Sequence, residues 1–101
     1  MSPTPQQERV LRRCLAGIEE LRPLLGAQLD DARFAEIIHK ALGDWGIAED
    51  EFRDEFALSQ STVLRWSSGH NLPQPLVRPV IVEWVCDRLM AEAKKLGAEL
   101  K

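Results

Sequence analysis

The amino-acid sequence predicts an all-α fold, a compact bundle of about five helices with an extra N-terminal helix and a long C-terminal helix. Apolar residues recur at helical spacing in separate stretches of the chain. Helix caps and stop residues, including Ser59, Gly69 and several prolines, divide these stretches. A chain of 101 residues with ordinary apolar and charged fractions fits one domain with a modest core. We therefore predict a single domain over residues 6–97, with loose tails at 1–5 and 98–101.

The first helix is predicted to begin at Gln6. Pro23 should end it near Leu21 or Arg22, because proline disfavours helical backbone at the residue that precedes it. An apolar stripe runs along this helix and consists of Val10, Leu11, Cys14, Leu15, Ile18 and Leu21. Such an extra helix can pack on its own core or on a second subunit, and the sequence leaves both possibilities open.

The second helix is predicted to be capped by Asp30 or Asp31 and to run to about Asp44. Its core face consists of Phe34, Ile37, Ile38, Ala41 and Leu42. Trp45 should follow the end of this helix, and Gly46 allows the turn after it.

The last helix is predicted to start at Leu76 or Val77 and to reach about Leu96. Pro79 is tolerated only in the first turn of a helix, which sets the start. Apolar residues cover nearly the whole circumference of this helix in its first half and form a narrower stripe in its second half. This excess supplies a possible dimer surface, for which the candidates are Ile81, Trp84, Val85 and Leu89.

Residues 49–69 have the pattern of two short helices joined by a turn. Phe52 and Phe56 are four positions apart, so both rings fall on one face of the first short helix. Ser59 is a good N-cap for the second short helix, and Gly69 is its expected left-handed stop residue. The second short helix is predicted to bury Val63 and Trp66 and to present Ser61, Leu64, Arg65 and Ser68 on its opposite side.

These residues resemble the helix-turn-helix of the lambda-repressor-like and Xre-like family of transcriptional regulators. The resemblance lies in Leu58-Ser59-Gln60-Ser61-x-Val63, followed by Trp66, Gly69 and Asn71-Leu72-Pro73. It covers about a quarter of the chain at the level of the motif, and about two thirds with the flanking helices. The chain departs from the family's pattern at Arg53, where a small residue is usual, and at Ala57, where a turn glycine is usual. Arg53 fits the family's pattern if its side chain reaches solvent, and Ala57 fits it if the turn stays right-handed.

The resemblance implies a protein that reads double-stranded DNA by placing the second short helix in the major groove. Gln60 can pair with adenine, and Ser61 can donate or accept at several base edges. Arg65 can reach a guanine or a phosphate, and Leu64 can contact a thymine methyl group. Phosphate contacts are expected from Ser59, Thr62, Ser68, His70 and Asn71. Since one such helix makes few base contacts, we expect a homodimer on an inverted repeat, acting as a transcriptional repressor.

The distribution of charge suits DNA binding better than the net charge does. The formal net charge is −3, which by itself counts against a nucleic-acid partner. Residues 56–82, however, contain no acid and include Arg65, His70 and Arg78. Phosphates can approach such a surface without repulsion by carboxylates. Residues 30–55, in contrast, contain nine acids against Arg33, Lys40 and Arg53.

The acids at the start of the first short helix favour a different kind of partner. Glu49, Asp50 and Glu51 suit the positive end of a helix, but in a DNA complex they would face phosphates. They support an alternative function, a protein–protein interaction adaptor or antitoxin-like module on the same fold. A structural subunit of a phage or of a larger assembly is a third possibility.

Other classes of function find no support in the sequence. Cys14 and Cys86 are far apart and lack partners at zinc-ligand spacing, so we interpret both as reduced, buried thiols. His39 has no catalytic partner, and no phosphate-cradling glycine loop or activated nucleophile is present. We therefore predict no enzymatic activity, no cofactor, no metal and no small-molecule ligand.

The sequence also predicts a cytoplasmic protein that associates with the nucleoid when it is bound to DNA. No apolar run approaches the roughly 18–20 residues of a membrane span. The first ten residues have no basic region followed by an apolar core, so they do not form a secretory signal.

Overall fold

The computed structural model describes residues 4–98, and all regular structure in that range is helical. The five α-helices are α1 (Pro5–Leu21), α2 (Asp31–Gly43), α3 (Glu49–Phe56), α4 (Gln60–Ser67) and α5 (Arg78–Lys95), and Arg22–Leu24 adds one turn of 3₁₀ helix after α1. The prediction of an all-α bundle with a long C-terminal helix is confirmed. No helix within residues 4–98 has the length and apolar character needed to cross a membrane.

Helix α1 begins one residue earlier than predicted, because Thr4 caps it. The hydroxyl oxygen of Thr4 accepts a hydrogen bond from the Gln7 amide at 3.1 Å, and the Gln7 side chain accepts one from the Thr4 amide at 2.9 Å. The predicted loose tail is therefore wrong at Thr4 and Pro5, while residues 1–3 lie outside the described range. At the other end the Ala98 amide donates to the Ala93 carbonyl, and residues 99–101 lie outside the described range.

Helix α2 has the predicted aspartate cap. The Asp30 carboxylate accepts a hydrogen bond from the Arg33 amide at 2.7 Å. After the helix the chain turns at Gly46, whose φ is +84°, and this turn directs the buried Trp45 into the core. The prediction that Trp45 follows the C-terminal end of α2, with the turn at Gly46, is confirmed.

Helix α1 packs within the subunit, along α5. The side chains of Cys14, Ile18 and Leu21 face the core, whereas Leu15 is 37 % exposed. Leu15, a member of the predicted apolar stripe, therefore faces solvent and not the core. The shared core also contains buried side chains of α5, namely Ile81, Val82, Val85, Cys86, Leu89 and Ala93.

Both cysteines are free and buried, as predicted. Burial raises the pKa of the Cys14 thiol and of the Cys86 thiol, because a thiolate loses its hydration inside the core. Both side chains therefore serve as small apolar core groups.

Aromatic rings attach the two short helices to the rest of the bundle. Phe52 on α3 lies edge-on to Trp66 on α4, with ring centroids 6.2 Å apart, and 5.9 Å from the Trp84 ring on α5. Phe34 on α2 also lies edge-on to Trp66, with ring centroids 6.0 Å apart. These contacts fix α4 on α2 and α3, so its position does not depend on the loops alone.

The turn between α3 and α4 differs from the prediction. Ala57 has φ +54° and ψ +49°, which is the left-handed conformation, so the condition that the turn stays right-handed is not met. The Leu58 amide donates to the Arg53 carbonyl at 2.9 Å across this turn. An alanine can adopt this conformation at a cost of about 1–2 kcal/mol, which the hydrogen bond and the packing of the flanking aromatic rings offset.

Candidate nucleic-acid interface

Helix α4 begins at a cluster of three hydroxyl groups. The Ser59 side chain accepts a hydrogen bond from the Thr62 amide at 3.1 Å, which makes it the predicted N-cap. Its oxygen also lies 2.9 Å from the Thr62 hydroxyl and 3.1 Å from the Ser61 hydroxyl. This network fixes the first turn of α4 and leaves polar oxygen atoms at its exposed end.

Helix α4 ends in a Schellman motif. The His70 amide donates to the Arg65 carbonyl at 2.7 Å, and the Gly69 amide donates to the Trp66 carbonyl at 3.1 Å. Gly69 has φ +84°, so the predicted left-handed stop residue is confirmed. Both ends of α4 are therefore defined by specific hydrogen bonds, and the helix is a short rigid rod of about 12 Å.

The predicted base-contacting side chains lie together on the solvent side of α4. Gln60, Ser61, Leu64 and Arg65 are all exposed, and Leu64 is 58 % exposed although it is apolar. Gln60 and Leu64 are four positions apart, as are Ser61 and Arg65, so the four form two adjacent rows. The opposite side is buried through Val63 and Trp66, as predicted. Helix α1 lies against α5, so it leaves this row of side chains uncovered.

The predicted phosphate-contacting residues fall into two groups. Ser59 and the half-buried Thr62 lie at the N-terminus of α4. Ser68, His70 and Asn71 are exposed at its C-terminus. The two groups are separated by the length of α4, so they flank the predicted base-contacting rows instead of forming one cluster.

The contact that holds the chain after α4 was not predicted from the sequence. Asn71 has φ +50°, and its carbonyl accepts a hydrogen bond from the indole N–H of Trp66 at 3.0 Å. Trp66 thus packs in the core through its ring and fixes the following segment through its nitrogen. An indole N–H that needs a partner when buried is the only sequence signal for this contact.

Arg78 has a structural role that the sequence analysis missed. Its side chain is buried, at 5 % exposure, and donates to the Pro73 carbonyl at 3.0 Å, to the Leu29 carbonyl at 2.8 Å and to the Asp31 carboxylate at 2.7 Å. Its guanidinium also lies over the Phe34 ring, 5.6 Å from the centroid. The interpretation of Arg78 as part of a basic surface is therefore wrong, and Arg65 and His70 are the exposed basic groups of residues 56–82.

The acids at the start of α3 are partly neutralised by neighbouring cations. Glu51 forms a paired contact with Arg88 of α5, at 2.6 Å from Nε and 3.2 Å from Nη2. Glu49 lies 3.5 Å from the guanidinium of Arg53, whose side chain is 35 % exposed. Hydrogen bonding to Arg88 lowers the pKa of the Glu51 carboxyl, and the same contact raises the pKa of Arg88.

The remaining acids of α3 stay exposed. Asp50, Asp54 and Glu55 all face solvent. Glu51, Asp54 and Glu55 line an open groove that also contains Trp84 and Arg88. Helix α3 is therefore acidic on its exposed side, while α4 carries no acid.

Three of the predicted dimer-interface residues are not available at the surface. Ile81, Val85 and Leu89 are at most 1 % exposed, because α1 and the core already cover them. The fourth, Trp84, is half-buried against the Phe56 ring at a centroid distance of 5.6 Å. The dimer surface predicted on α5 is corrected accordingly: its apolar residues are used inside the subunit.

Among residues 4–98, no three His, Cys, Asp or Glu side chains come together in an arrangement that could hold a metal ion. Comparison of the chain with protein-family models, with curated proteins and with solved structures gave no match. The proposals below therefore depend on the geometry and chemistry of the residues themselves.

Proposed function

We propose that this protein is a sequence-specific regulator of transcription that binds double-stranded DNA as a homodimer on an inverted repeat, with repression by promoter occupancy as its mode of action. The observation that supports the proposal is the outer side of α4. It is exposed, rigid and free of acids, and it carries side chains that can hydrogen-bond to base edges.

Each exposed residue of α4 has a role in this proposal. The Gln60 amide can donate to and accept from one adenine, and the Ser61 hydroxyl can donate to or accept from a neighbouring base edge. Arg65, one turn further along, reaches a guanine or a phosphate, and Leu64 contacts a thymine methyl group. These contacts require the N-terminal half of α4 to enter the groove, which its uncovered first turn allows.

The flanking groups complete the proposed DNA contact. In this proposal Ser59 and Thr62 at one end of α4, and Ser68, His70 and Asn71 at the other, contact phosphates on the two sides of the groove. Such contacts position the protein without reading sequence. We expect them to contribute to affinity for any duplex, and the residues of α4 to contribute to discrimination between duplexes.

The test is selection of a binding site, followed by comparison of variants on it. Duplexes would be selected from a random pool and from the DNA upstream of the gene, and affinities measured by fluorescence anisotropy. The double variant Gln60→Ala/Ser61→Ala should lose about 1–3 kcal/mol of discrimination for each base contact that is removed, while its affinity for random duplex changes little. Gln28→Ala, an exposed glutamine in the connection between α1 and α2, is the matched control and should bind as the wild type does. Equal operator affinity of the double variant and the wild type would show that these side chains do not read bases.

The second candidate function is a protein–protein interaction adaptor, and the exposed acids of α3 favour it. Asp50, Asp54 and Glu55 repel phosphates, and they suit a basic protein surface. A salt titration separates the two functions, since affinity for DNA should fall steeply with salt as counterions are released. Absence of saturable duplex binding at low salt would support the adaptor and contradict the DNA reader.

A further inference from the structure

A cavity of about 200 Å³ lies between α1, α5 and the turn that leads into α3. Much of its wall is apolar and consists of the core side chains Cys14, Trp45, Ile47 and Leu89, each at most 5 % exposed, together with the half-buried Val10. Packing in the core holds these side chains in place, so the shape of the wall is preformed. An apolar cavity of about 150 Å³ can hold a benzene molecule. This cavity therefore has room for one aromatic ring with a short chain.

Three charged side chains also line the cavity, namely Glu51, Arg88 and Glu92. Glu51 is exposed and the other two are half-buried, so these groups lie nearer the solvent than the apolar wall does. Two negative charges and one positive charge leave the lining with one net negative charge. Lys95 also lowers the pKa of Glu51, but it is not one of the lining residues.

The guanidinium of Arg88 already has carboxylate partners at each of its three nitrogen atoms. Nε and Nη2 donate to Glu51 at 2.6 Å and 3.2 Å, and Nη1 donates to Glu92 at 3.4 Å. An anion that enters the cavity would have to compete with these carboxylates for the guanidinium. The Glu92 carboxylate is held at the longest of the three distances, so its lone pairs are the ones most open to a further donor.

The negative charge of the lining acts on the apolar wall as well. Burial is the main reason that the pKa of the Cys14 thiol is raised, and the charge of Glu92 raises it further, by more than the charge of Arg88 lowers it. The wall at Cys14 is thus closer in effect to an acid than to a base. A cation suits such a surroundings better than an anion does.

We propose that this cavity binds a small organic cation, a primary ammonium group attached to an aromatic ring or to a short hydrocarbon chain. The apolar wall contacts the hydrocarbon part, and the Glu92 carboxylate accepts hydrogen bonds from the ammonium group. The site departs from the prediction of no small-molecule ligand. The proposal is independent of the proposed function, because no residue that lines the cavity belongs to α4.

The test is an NMR titration of the full chain with three probes of similar size: 2-phenylethylamine, which is cationic at neutral pH, the neutral 2-phenylethanol and the anion 3-phenylpropanoate. The indole N–H signal of Trp45 reports binding, since Trp45 lines the cavity whereas Trp66 and Trp84 do not. The amine should shift this signal in a saturable way, with a Kd on the order of 1 mM. It should bind at least about ten-fold more tightly than the carboxylate, with the alcohol between them.

A variant tests the role assigned to Glu92. Glu92→Gln removes the charge and keeps the shape, so it should weaken binding of the amine by at least about five-fold and change binding of the alcohol by less than about two-fold. Glu83→Gln is the matched control, because Glu83 is an exposed acid on the same helix that does not line the cavity. This control changes the net charge by the same amount and should bind the amine as the wild type does.

Several results would overturn the proposal. They are the absence of a saturable shift of the Trp45 signal up to about 10 mM amine, equal affinity for the amine and the carboxylate, and equal weakening by Glu83→Gln and Glu92→Gln. A shift confined to the Trp66 or Trp84 signal would overturn it too, because the amine would then bind elsewhere. Circular dichroism reports whether each variant is folded. If Glu92→Gln does not fold, the order in which the wild type binds the three probes decides.

Discussion

Helices α5 and α4 differ in how much of their surface the rest of the domain covers. Helix α5 packs against α1 and α2, and the rings of α3 contact its Trp84, so it is enclosed on several sides. Helix α4 is held from one side only, through Val63 and Trp66. Stability and surface chemistry are therefore carried by different helices of this fold. Substitutions on the outer side of α4 should leave the core intact, while substitutions of the buried side chains of α5 should disturb it.

The largest expected effect comes from removing the ring that joins the two regions. Phe52→Ala should lower the free energy of unfolding by about 3–5 kcal/mol, because Phe52 is 1 % exposed and contacts the rings of Phe56, Trp66 and Trp84. Leu64→Ala, on the outer side of α4, should change it by less than about 0.5 kcal/mol. Urea unfolding followed by circular dichroism measures both. A large loss for Leu64→Ala would mean that the outer side of α4 is covered, and would remove the contrast between the two helices.

A smaller loss of stability is expected from a substitution at Gly17, where α1 packs against the core. A Cβ at Gly17 would lie 2.6 Å from the Leu89 side chain and 2.8 Å from the Trp45 ring. Overpacking in Gly17→Ala should therefore lower the free energy of unfolding by about 1–3 kcal/mol. The higher helix propensity of alanine offsets about 0.5–1 kcal/mol of this loss. A net loss in thermal or urea unfolding is the expected result.

Gly43 provides the matched control, because it is also a helical glycine but has no atom within 4 Å of the corresponding Cβ position. Gly43→Ala should leave stability unchanged or raise it by up to about 1 kcal/mol. If Gly17→Ala and Gly43→Ala changed the free energy of unfolding in the same direction, α1 and α5 would not be closely packed at Gly17.

Several helix boundaries follow from local chemistry and were predictable from the sequence, whereas the Thr4 cap of α1 was missed. Asp30 and Ser59 cap their helices as expected, and Pro23 and Gly69 end theirs, because each acts on backbone groups within a few positions. The predicted exposure of Gln60 and its neighbours on α4 also followed from helical periodicity.

The features that depend on distant segments were not predictable. Arg78 can be buried because the carbonyl of Leu29, 49 positions earlier, accepts a hydrogen bond from its guanidinium, and no local pattern reports such a contact. Periodicity marked Ile81 and Leu89 as apolar but could not tell burial against α1 from burial against a second subunit. The left-handed conformation of Ala57 likewise needed knowledge of how α3 and α4 pack, since alanine is a poor signal for it.

The smallest expected effect concerns the link between α3 and α5. The contact with Arg88 lowers the pKa of Glu51 in the folded state below its unfolded value. The contribution of Glu51 to stability is therefore complete above the unfolded glutamate pKa of about 4.3, and is lost as the pH falls through the lower folded value. Glu51→Gln should reduce the free energy of unfolding at neutral pH, and its deficit relative to the wild type should shrink as the solution is acidified.

Glu55→Gln is the control for this pH dependence, because Glu55 is an exposed acid on the same helix. Urea unfolding at a series of pH values between about 7 and 3 would give the difference between each variant and the wild type. If the Glu51→Gln deficit stays constant over that range, or if Glu55→Gln shows the same dependence, the contact with Arg88 does not stabilise the start of α3. Equal pH dependence of the two variants would instead indicate that the acids of α3 act together as a surface charge.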